Sequence, residues 1–417
     1  MKEKAITIIL TILILVVPMA IMPSINNYYN IPKVIVLLLG GTLLLIFLLA
    51  NYKKMEIDKK DIILLIFAML IFISTMLSSN INTSILGSRR RYEGMLVLFT
   101  YILIYFCTKK FLNYKNKNNL LKVLYVIYIS ICILGVLQYY IKIPNQNLYP
   151  IFNKGVCGTF GNTNFIGSFL SLGIPIFTIL YIIKGKKLSF ITSILVFFCL
   201  IACGARSSWV AFAVFVFILL IYLIKMKNKE YLKRTAILFV CFALIFTYLF
   251  TVKSSFVKTK VKTISNEVKV ATTQGVNEEM GSNRIQIWRI TIDLIKKYPI
   301  FGVGTDNLKS ALHNNLTTDY IEFIERTKVG IDKAHNEYLQ IAATLGIPAL
   351  VIYLVFIVLV LKGKEKQIFN NLNIFIIYSS IICYLVQAFF NISTIGIAPL
   401  FWFALGLIDN KIINKNS

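Results

Sequence analysis

Acidic residues and histidines are scarce in this chain: 18 aspartates and glutamates stand against 44 lysines and arginines, with two histidines in 417 residues. No Asp-X-Asp motif occurs, and the stretch from Pro23 to Pro32 holds no acid. Carboxylate pairs of the kind that grip a divalent cation are therefore missing where they would be sought first, and no metal or other cofactor is expected. The seven cysteines contain no CxxC pair, and all but Cys157 sit in or beside apolar segments. That pattern excludes a disulfide framework and a structural zinc site. Long polar stretches are also rare, the one exception running from Lys253 to His335.

What fills the rest is apolar. Hydrophobic residues make up 57% of the chain and charged ones 15%, a balance that soluble domains do not have. Twelve segments are long enough to cross a hydrocarbon core about 30 Å thick. They centre near Ile14, Leu43, Ala68, Ile102, Ile129, Pro175, Val196, Val214, Ala243, Phe356, Ile381 and Leu400. Backbone amides must be paired inside lipid, and Ile, Leu, Val and Phe runs without strict alternation select helices over barrel strands. The expected fold is an all-α polytopic membrane protein of about 12 transmembrane helices. Helices 1–9 occupy residues 1–252, a large outer loop with amphipathic helices occupies 253–336, and helices 10–12 occupy 337–417.

Basic residues orient the bundle. Twenty-four of the 44 fall on the side that holds both termini, against seven in the short opposite connections and 13 in the long loop. The positive-inside rule then makes both termini cytoplasmic and the long loop extracytoplasmic. Much of the net charge of +26 is thus a topological signal, and a nucleic-acid partner is not expected. The apolar run after Met1-Lys-Glu-Lys is long and lacks a clean small-X-small site, so it reads as an uncleaved first helix.

Charges placed on the outer side against this bias need a reason. Gly87-Ser-Arg-Arg-Arg-Tyr-Glu-Gly94 sets Arg89, Arg90 and Arg91 together beside Glu93. Guanidinium groups give planar, permanently charged contacts suited to phosphate oxygens, although snorkelling toward headgroups would also place them here. Gly158-Thr-Phe-Gly-Asn-Thr-Asn-Phe165 is a turn in which Asn162 or Thr163 is positioned to cap a helix, with free amides facing outward. Arg206 lies in the very tight turn Gly204-Ala-Arg-Ser-Ser-Trp209, where it serves either a substrate or a neighbouring acid or carbonyl.

The long loop opens with Val257, Val261, Ile264 and Val268 on one helical face, an amphipathic scaffold helix lying at the membrane surface. Gly281-Ser-Asn-Arg-Ile-Gln-Ile-Trp-Arg-Ile290 begins a second helix, capped by Ser282 or Asn283, with a buried stripe of Ile285, Trp288, Ile292 and Ile295. Arg284 falls in its first turn, where a cation is locally unfavourable; an anionic ligand, or a salt bridge to Glu278 or Glu279, would explain it. A turn over Phe301–Asp306 leads into a short helix with His313, which has no polar company. Lys333-Ala-His-Asn-Glu-Tyr-Leu-Gln340 then sets His335 at the mouth of helix ten beside Asn336 and Glu337. A histidine so placed is a candidate base.

Taken together, GSRRRYEG, GTFGNTN, ARSSW, GSNRIQIWR followed by YPIFGVG, and AHNEYLQIAATLGI resemble the O-antigen ligase and polymerase superfamily in order and spacing. The likeness runs from about Gly87 to the C-terminus. It implies a glycosyltransferase of bacterial cell-envelope polysaccharide biosynthesis, multi-pass in the cytoplasmic membrane with its active site on the extracytoplasmic face. Such an enzyme moves a glycan from an undecaprenyl pyrophosphate carrier to an acceptor hydroxyl, inverting and without a metal. By the same resemblance His335 corresponds to the essential loop histidine, Arg206 and Arg284 to the essential arginines, and Arg89 or Arg90 to an outer basic pair. Expected partners are a lipid-linked glycan donor and a glycan, lipid or protein acceptor. A surface polysaccharide polymerase and a protein O-oligosaccharyltransferase share these motifs. A lipid-linked oligosaccharide transporter is the alternative from another class, against which stand uncharged helix centres and the lack of an internal repeat.

Overall fold

The computed structural model describes residues 2–23, 27–54, 56–112, 117–141, 155–252, 256–274 and 280–410. In chain order the helices are α1 (Lys2–Met19), α2 (Ile31–Leu49), α3 (Lys59–Met76), α4 (Ile81–Leu86), α5 (Met95–Phe111), α6 (Lys117–Tyr140), α7 (Thr163–Lys184), α8 (Lys187–Ala202), α9 (Arg206–Met226) and α10 (Lys229–Thr251). The polar region then forms α11 (Phe256–Gln274), α12 (Met280–Lys297), α13 (Leu308–Asn314), α14 (Thr318–Thr327) and α15 (Glu337–Leu345). The chain returns through α16 (Ile347–Leu361), α17 (Lys364–Gln367), α18 (Leu372–Ala388) and α19 (Ala398–Ile408). The described residues contain no strand.

Each of the twelve apolar centres read from the sequence lies in one of these helices. Among the described residues, six helices are long and apolar enough to cross a membrane: α2, Asn119–Tyr140 of α6, α7, α9, α10 and Ile347–Gln367. Lys4–Met19, α8, α18 and α19 are shorter apolar helices, and α3 and α5 carry charges at one end. Large apolar side chains such as Leu39, Met69, Phe217, Ile224, Leu244 and Val358 point outward, a girdle that only lipid accommodates. The fold is that of a polytopic α-helical membrane protein.

Local chemistry sets the helix limits. Asp58 caps α3 with a reciprocal box through Asp61, Asn228 caps α10 and Asn371 caps α18. Prolines open α2, α16 and α19, where a missing amide costs nothing. Helix α7 is the most enclosed of the candidate spans and packs on α8, α9 and α18. Its first turn faces the polar loop and its last turn, about 30 Å away, the other end of the bundle.

The polar region has its own apolar core, in which Ile287, Ile290 and Leu294 of α12 meet Leu308, Leu312, Tyr320, Phe323 and Ala334. This shifts the expected stripe. Ile292 is exposed and Trp288 only partly covered, because α12 is held between α14 and α15 and its regular turns begin only after a left-handed run at residues 281–283. The expected tenth helix is also divided. Gly346, at φ +95°, separates α15 from α16, and a side chain there would strike the Ile300 carbonyl. The amides of Val303 and Gly304 pair with the carbonyls of Ala343 and Thr344 across this seam.

At the end of the bundle away from the loop, Lys109 is nearly buried and contacts Asp58 and Asp61 at 2.7 Å and Asp409 at 2.8 Å. Lys60 and Lys110 pair with Asp409 and Asp61, and Tyr105 donates to Asp409 at 2.7 Å. This cluster joins α3, α5 and the end of α19. Lys109→Met leaves buried carboxylates without their central cation, and a stability loss of about 3–5 kcal/mol is expected. Thermal unfolding of the detergent-solubilised protein measures it, and an unchanged Tm would refute this role.

Candidate functional site

Five segments of the chain converge on one cavity of about 170 Å³. Its walls include Thr163 and Asn164 from the start of α7, Gly204 and Arg206 from the α8–α9 turn, Lys260 of α11, Ser282 and Arg284 of α12, and His335. Asn162 caps α7 by accepting from the amide of Asn164 at 2.8 Å.

The backbone forces His335 into place. Lys333 is buried and ion-paired, the amide of Ala334 donates to Gln340 Oε1 at 2.8 Å, and buried Asn336 caps α15 by accepting from Tyr338 and Leu339. With both flanks pinned, His335 itself adopts φ +50°, a left-handed conformation that histidine tolerates better than most residues. It stands at the mouth of the short α15 rather than of the membrane helix that follows.

Arg206 opens α9, and its Nη1 lies 2.6 Å from Glu267 Oε2. The same carboxylate oxygen accepts from the amide of Gly281 at 3.4 Å. Glu267 and Lys260 both come from α11, so the helix expected to be scaffold lines the site. Arg284 has no ion-pair or hydrogen-bond partner among the described residues, and the expected alternative partners Glu278 and Glu279 lie outside those residues. Burial, and then Arg206 beside it, lowers the proton affinity of Arg284. The Gly281–Asn283 run is left-handed at three consecutive positions, and Asn283 accepts from Arg326 at 3.2 Å in place of acting as the expected cap.

The three outer arginines separate. Arg91 donates through Nε and Nη2 to Asp332 Oδ2 at 3.0 and 2.7 Å and lies over the Phe165 ring. Arg90 is exposed, with Nη1 3.6 Å from Asp332. Arg89 is exposed, and its carbonyl accepts from Asn27 at 3.0 Å. Burial pushes the Asp332 carboxyl up, but Arg91 and then Arg90 hold it below the usual carboxylate range.

Glu93, Asn336 and Glu337 do not line the cavity but sit behind it. Glu93 accepts from Tyr101, Ser393 and Lys333. Glu337 accepts from Tyr353 at 3.3 Å and Tyr384 at 3.0 Å. Lys333, 3% exposed, lies 3.3 Å from Glu93 and 2.9 Å from Asp306. Asp306 in turn accepts from the amides of Ser88 at 2.7 Å and Glu93 at 3.3 Å. It therefore holds the arginine turn as well as the lysine. His313 is exposed on α13, away from this cavity.

Glu267, Asp332, Asp306, Lys333 and Lys260 were not singled out as site residues from sequence. Their signal was the scarcity of acid: in a chain with so few carboxylates, those of the polar loop are each expected to answer a cation.

The cavity is positive on balance, with Arg206, Arg284 and Lys260 facing one carboxylate. It suits an anion. Burial lowers the proton affinity of His335 first and Arg284 adds to this, while Asp332 opposes and Arg91 and Arg90 contribute smaller pushes; the pKa falls to about 4. The imidazole is thus neutral at pH 7 with a lone pair free to accept a proton.

A polytopic helical membrane protein with a positively charged, histidine-bearing cavity between its bundle and its loop is the class these features define. Residues 191–354 match the family model described as O-antigen ligase, and this stretch carries Arg206, Glu267, Arg284 and His335. This stretch of the chain is thus similar to the O-antigen ligase family. The match begins after Arg89–Arg91 and Glu93. No curated protein sequence matched the chain.

Because an unfolded histidine takes a proton near pH 6.5 and this one near 4, the unfolded chain holds the extra proton between those values. The contribution of His335 to stability therefore rises with pH across that window. In an NMR titration of the two histidine signals, the one missing from a His335 variant is expected to titrate near pH 4 and to move upward when inorganic pyrophosphate is added. Titration near 6.5 in the empty site would contradict the geometry described.

Proposed function

We propose that this protein transfers a glycan from an undecaprenyl pyrophosphate carrier to an acceptor hydroxyl at the extracytoplasmic face of the bacterial cytoplasmic membrane. In this reading the twelve apolar helices span the membrane, and both termini are cytoplasmic. The observation that carries it is the meeting of His335, Arg206 and Arg284 in one positive cavity.

His335 accepts the proton of the acceptor hydroxyl as its oxygen attacks the anomeric carbon. The bond from that carbon to the pyrophosphate oxygen breaks, the configuration inverts, and the electron pair leaves with the polyprenyl pyrophosphate. Arg206 and Arg284 neutralise charge developing on the leaving group. Exposed Arg89 and Arg90 extend the positive surface at the outer rim. Arg91, already engaged by Asp332, acts by positioning the segment before His335, and Glu93, Asn336 and Glu337 support that frame. Guanidinium groups serve here in the part a divalent cation plays elsewhere.

A neutral imidazole beside cations is a weak base while the site is empty. Donor pyrophosphate reverses the local field and raises its proton affinity, so the base becomes competent once its substrate is bound.

Purified protein incubated with an undecaprenyl pyrophosphate glycan and separate glycan, lipid and protein acceptors, with products identified by mass, distinguishes ligase, polymerase and protein O-oligosaccharyltransferase. His335→Ala is expected to lower transfer at least about 100-fold while expression and membrane insertion persist. Normal product from that variant would remove His335 as the base.

Glu267 holds Arg206 in the empty cavity with a carboxylate where a phosphate oxygen would bind. Glu267→Gln releases the guanidinium and still accepts from Gly281. Calorimetric titration with inorganic pyrophosphate is expected to show binding tightened roughly threefold to tenfold, in line with a partly exposed ion pair. Unchanged or weaker binding would show that Glu267 does not compete for this position.

A further inference from the structure

A second cavity, larger than the one at His335, lies at the opposite end of α7. It encloses about 250 Å³ between α6, α7, α18 and α19. Leu124, Ile176, Ile376 and Phe403 line its length, and Lys184 and Lys186 stand at one end. The groove exists because α6 packs on α1 and α8 and makes little contact with α18 or α19.

Its dimensions are those of half a bilayer. From Leu172 to Lys184, thirteen residues of α7 span about 18 Å, close to the roughly 15 Å depth of one hydrocarbon leaflet. The apolar part suits an alkyl chain and excludes a polar ligand. The end of the groove adds charge: Lys184 and Lys186 are exposed and have no carboxylate partner among the described residues. Asn373 lines the groove as well, and Arg234, which donates to the carbonyl of Ile182 at 3.1 Å, lies nearby with its charge answered by Glu230 at 2.9 Å.

We propose that this groove binds an anionic phospholipid in the leaflet opposite the His335 cavity. One acyl chain lies between α6 and the α7–α18–α19 wall, and the phosphate sits on Lys184 and Lys186. Basic pockets between membrane helices select anionic headgroups through this combination of an apolar slot and paired cations. The lipid supplies packing that α6 lacks on that side, so it acts as a structural ligand. The inference is independent of the glycan-transfer reading, since no group at the outer cavity enters it.

The test is thermal unfolding of the delipidated full chain titrated with phosphatidylglycerol or with phosphatidylcholine of the same chains. Phosphatidylglycerol is expected to raise Tm by about 2–4 °C or more, and phosphatidylcholine by much less. Lys184→Glu combined with Lys186→Glu is expected to abolish the difference between the two lipids. Ile176→Trp, which fills the slot and leaves the lysines in place, is expected to reduce phosphatidylglycerol retained in native mass spectra. Equal stabilisation by both lipids would overturn the proposal, as would an undiminished phosphatidylglycerol effect in the charge-reversed protein.

Discussion

The ion pair of Lys333 with Glu93, together with Asp306, which pairs with Lys333 and accepts from the amides of Ser88 and Glu93, holds the loop to the bundle, and the candidate site depends on it. Three charged groups are withdrawn from water at the seam, an arrangement tolerable only because each is answered at close range. Burial works against the ammonium charge, yet Asp306 and Glu93 outweigh it and keep Lys333 protonated. Asp306 also accepts from the amides at both ends of the arginine turn. One buried contact thus fixes two things: where the Arg89–Arg91 turn sits, and where the backbone stands two residues before His335. A loop attached through apolar packing alone would have no comparable register.

Around that anchor the electrostatics are graded. Behind the cavity the charges are paired and buried. Arg206 at its wall and Arg91 outside it are each paired with a single carboxylate. Arg284 has no such partner among the described residues, although its position in the first turn of α12 already disfavours a cation. Charge left uncompensated inside a protein is costly, and the cost is relieved by an anion. The gradient from satisfied to unsatisfied runs toward the space that the proposed donor would fill.

Much of this was legible in the sequence. The apolar centres, the Asn162 cap of α7 and the placing of His335, Arg206 and Arg284 followed from hydropathy, turn chemistry and the rarity of polar residues in the chain. Tertiary packing hid the remainder. The stripe on α12 was right at Ile295 but wrong at Ile292, because the helix is covered by two neighbours and starts after a left-handed run that no simple periodicity anticipates. Helix α11 looked like scaffold because Val257 and Val261 obey a surface-helix pattern, while Lys260 and Glu267 on its other positions reach the cavity only once α11 folds back toward the α8–α9 turn. The three arginines looked equivalent in a row of three, and only the fold shows that Asp332 takes Arg91 at close range, holds the exposed Arg90 more loosely and leaves Arg89 outside.

The left-handed backbone at His335 narrows what this position accepts through evolutionary drift. Glycine, asparagine and aspartate satisfy its torsion angle but offer no imidazole, while the larger or branched residues that neutral substitution commonly supplies would strain the turn. The set of residues compatible with the fold and the set capable of taking a proton near neutrality overlap at histidine. A lineage that lost the chemistry would therefore be expected to settle on glycine or asparagine here, retaining the architecture as a folded relic with its cavity intact.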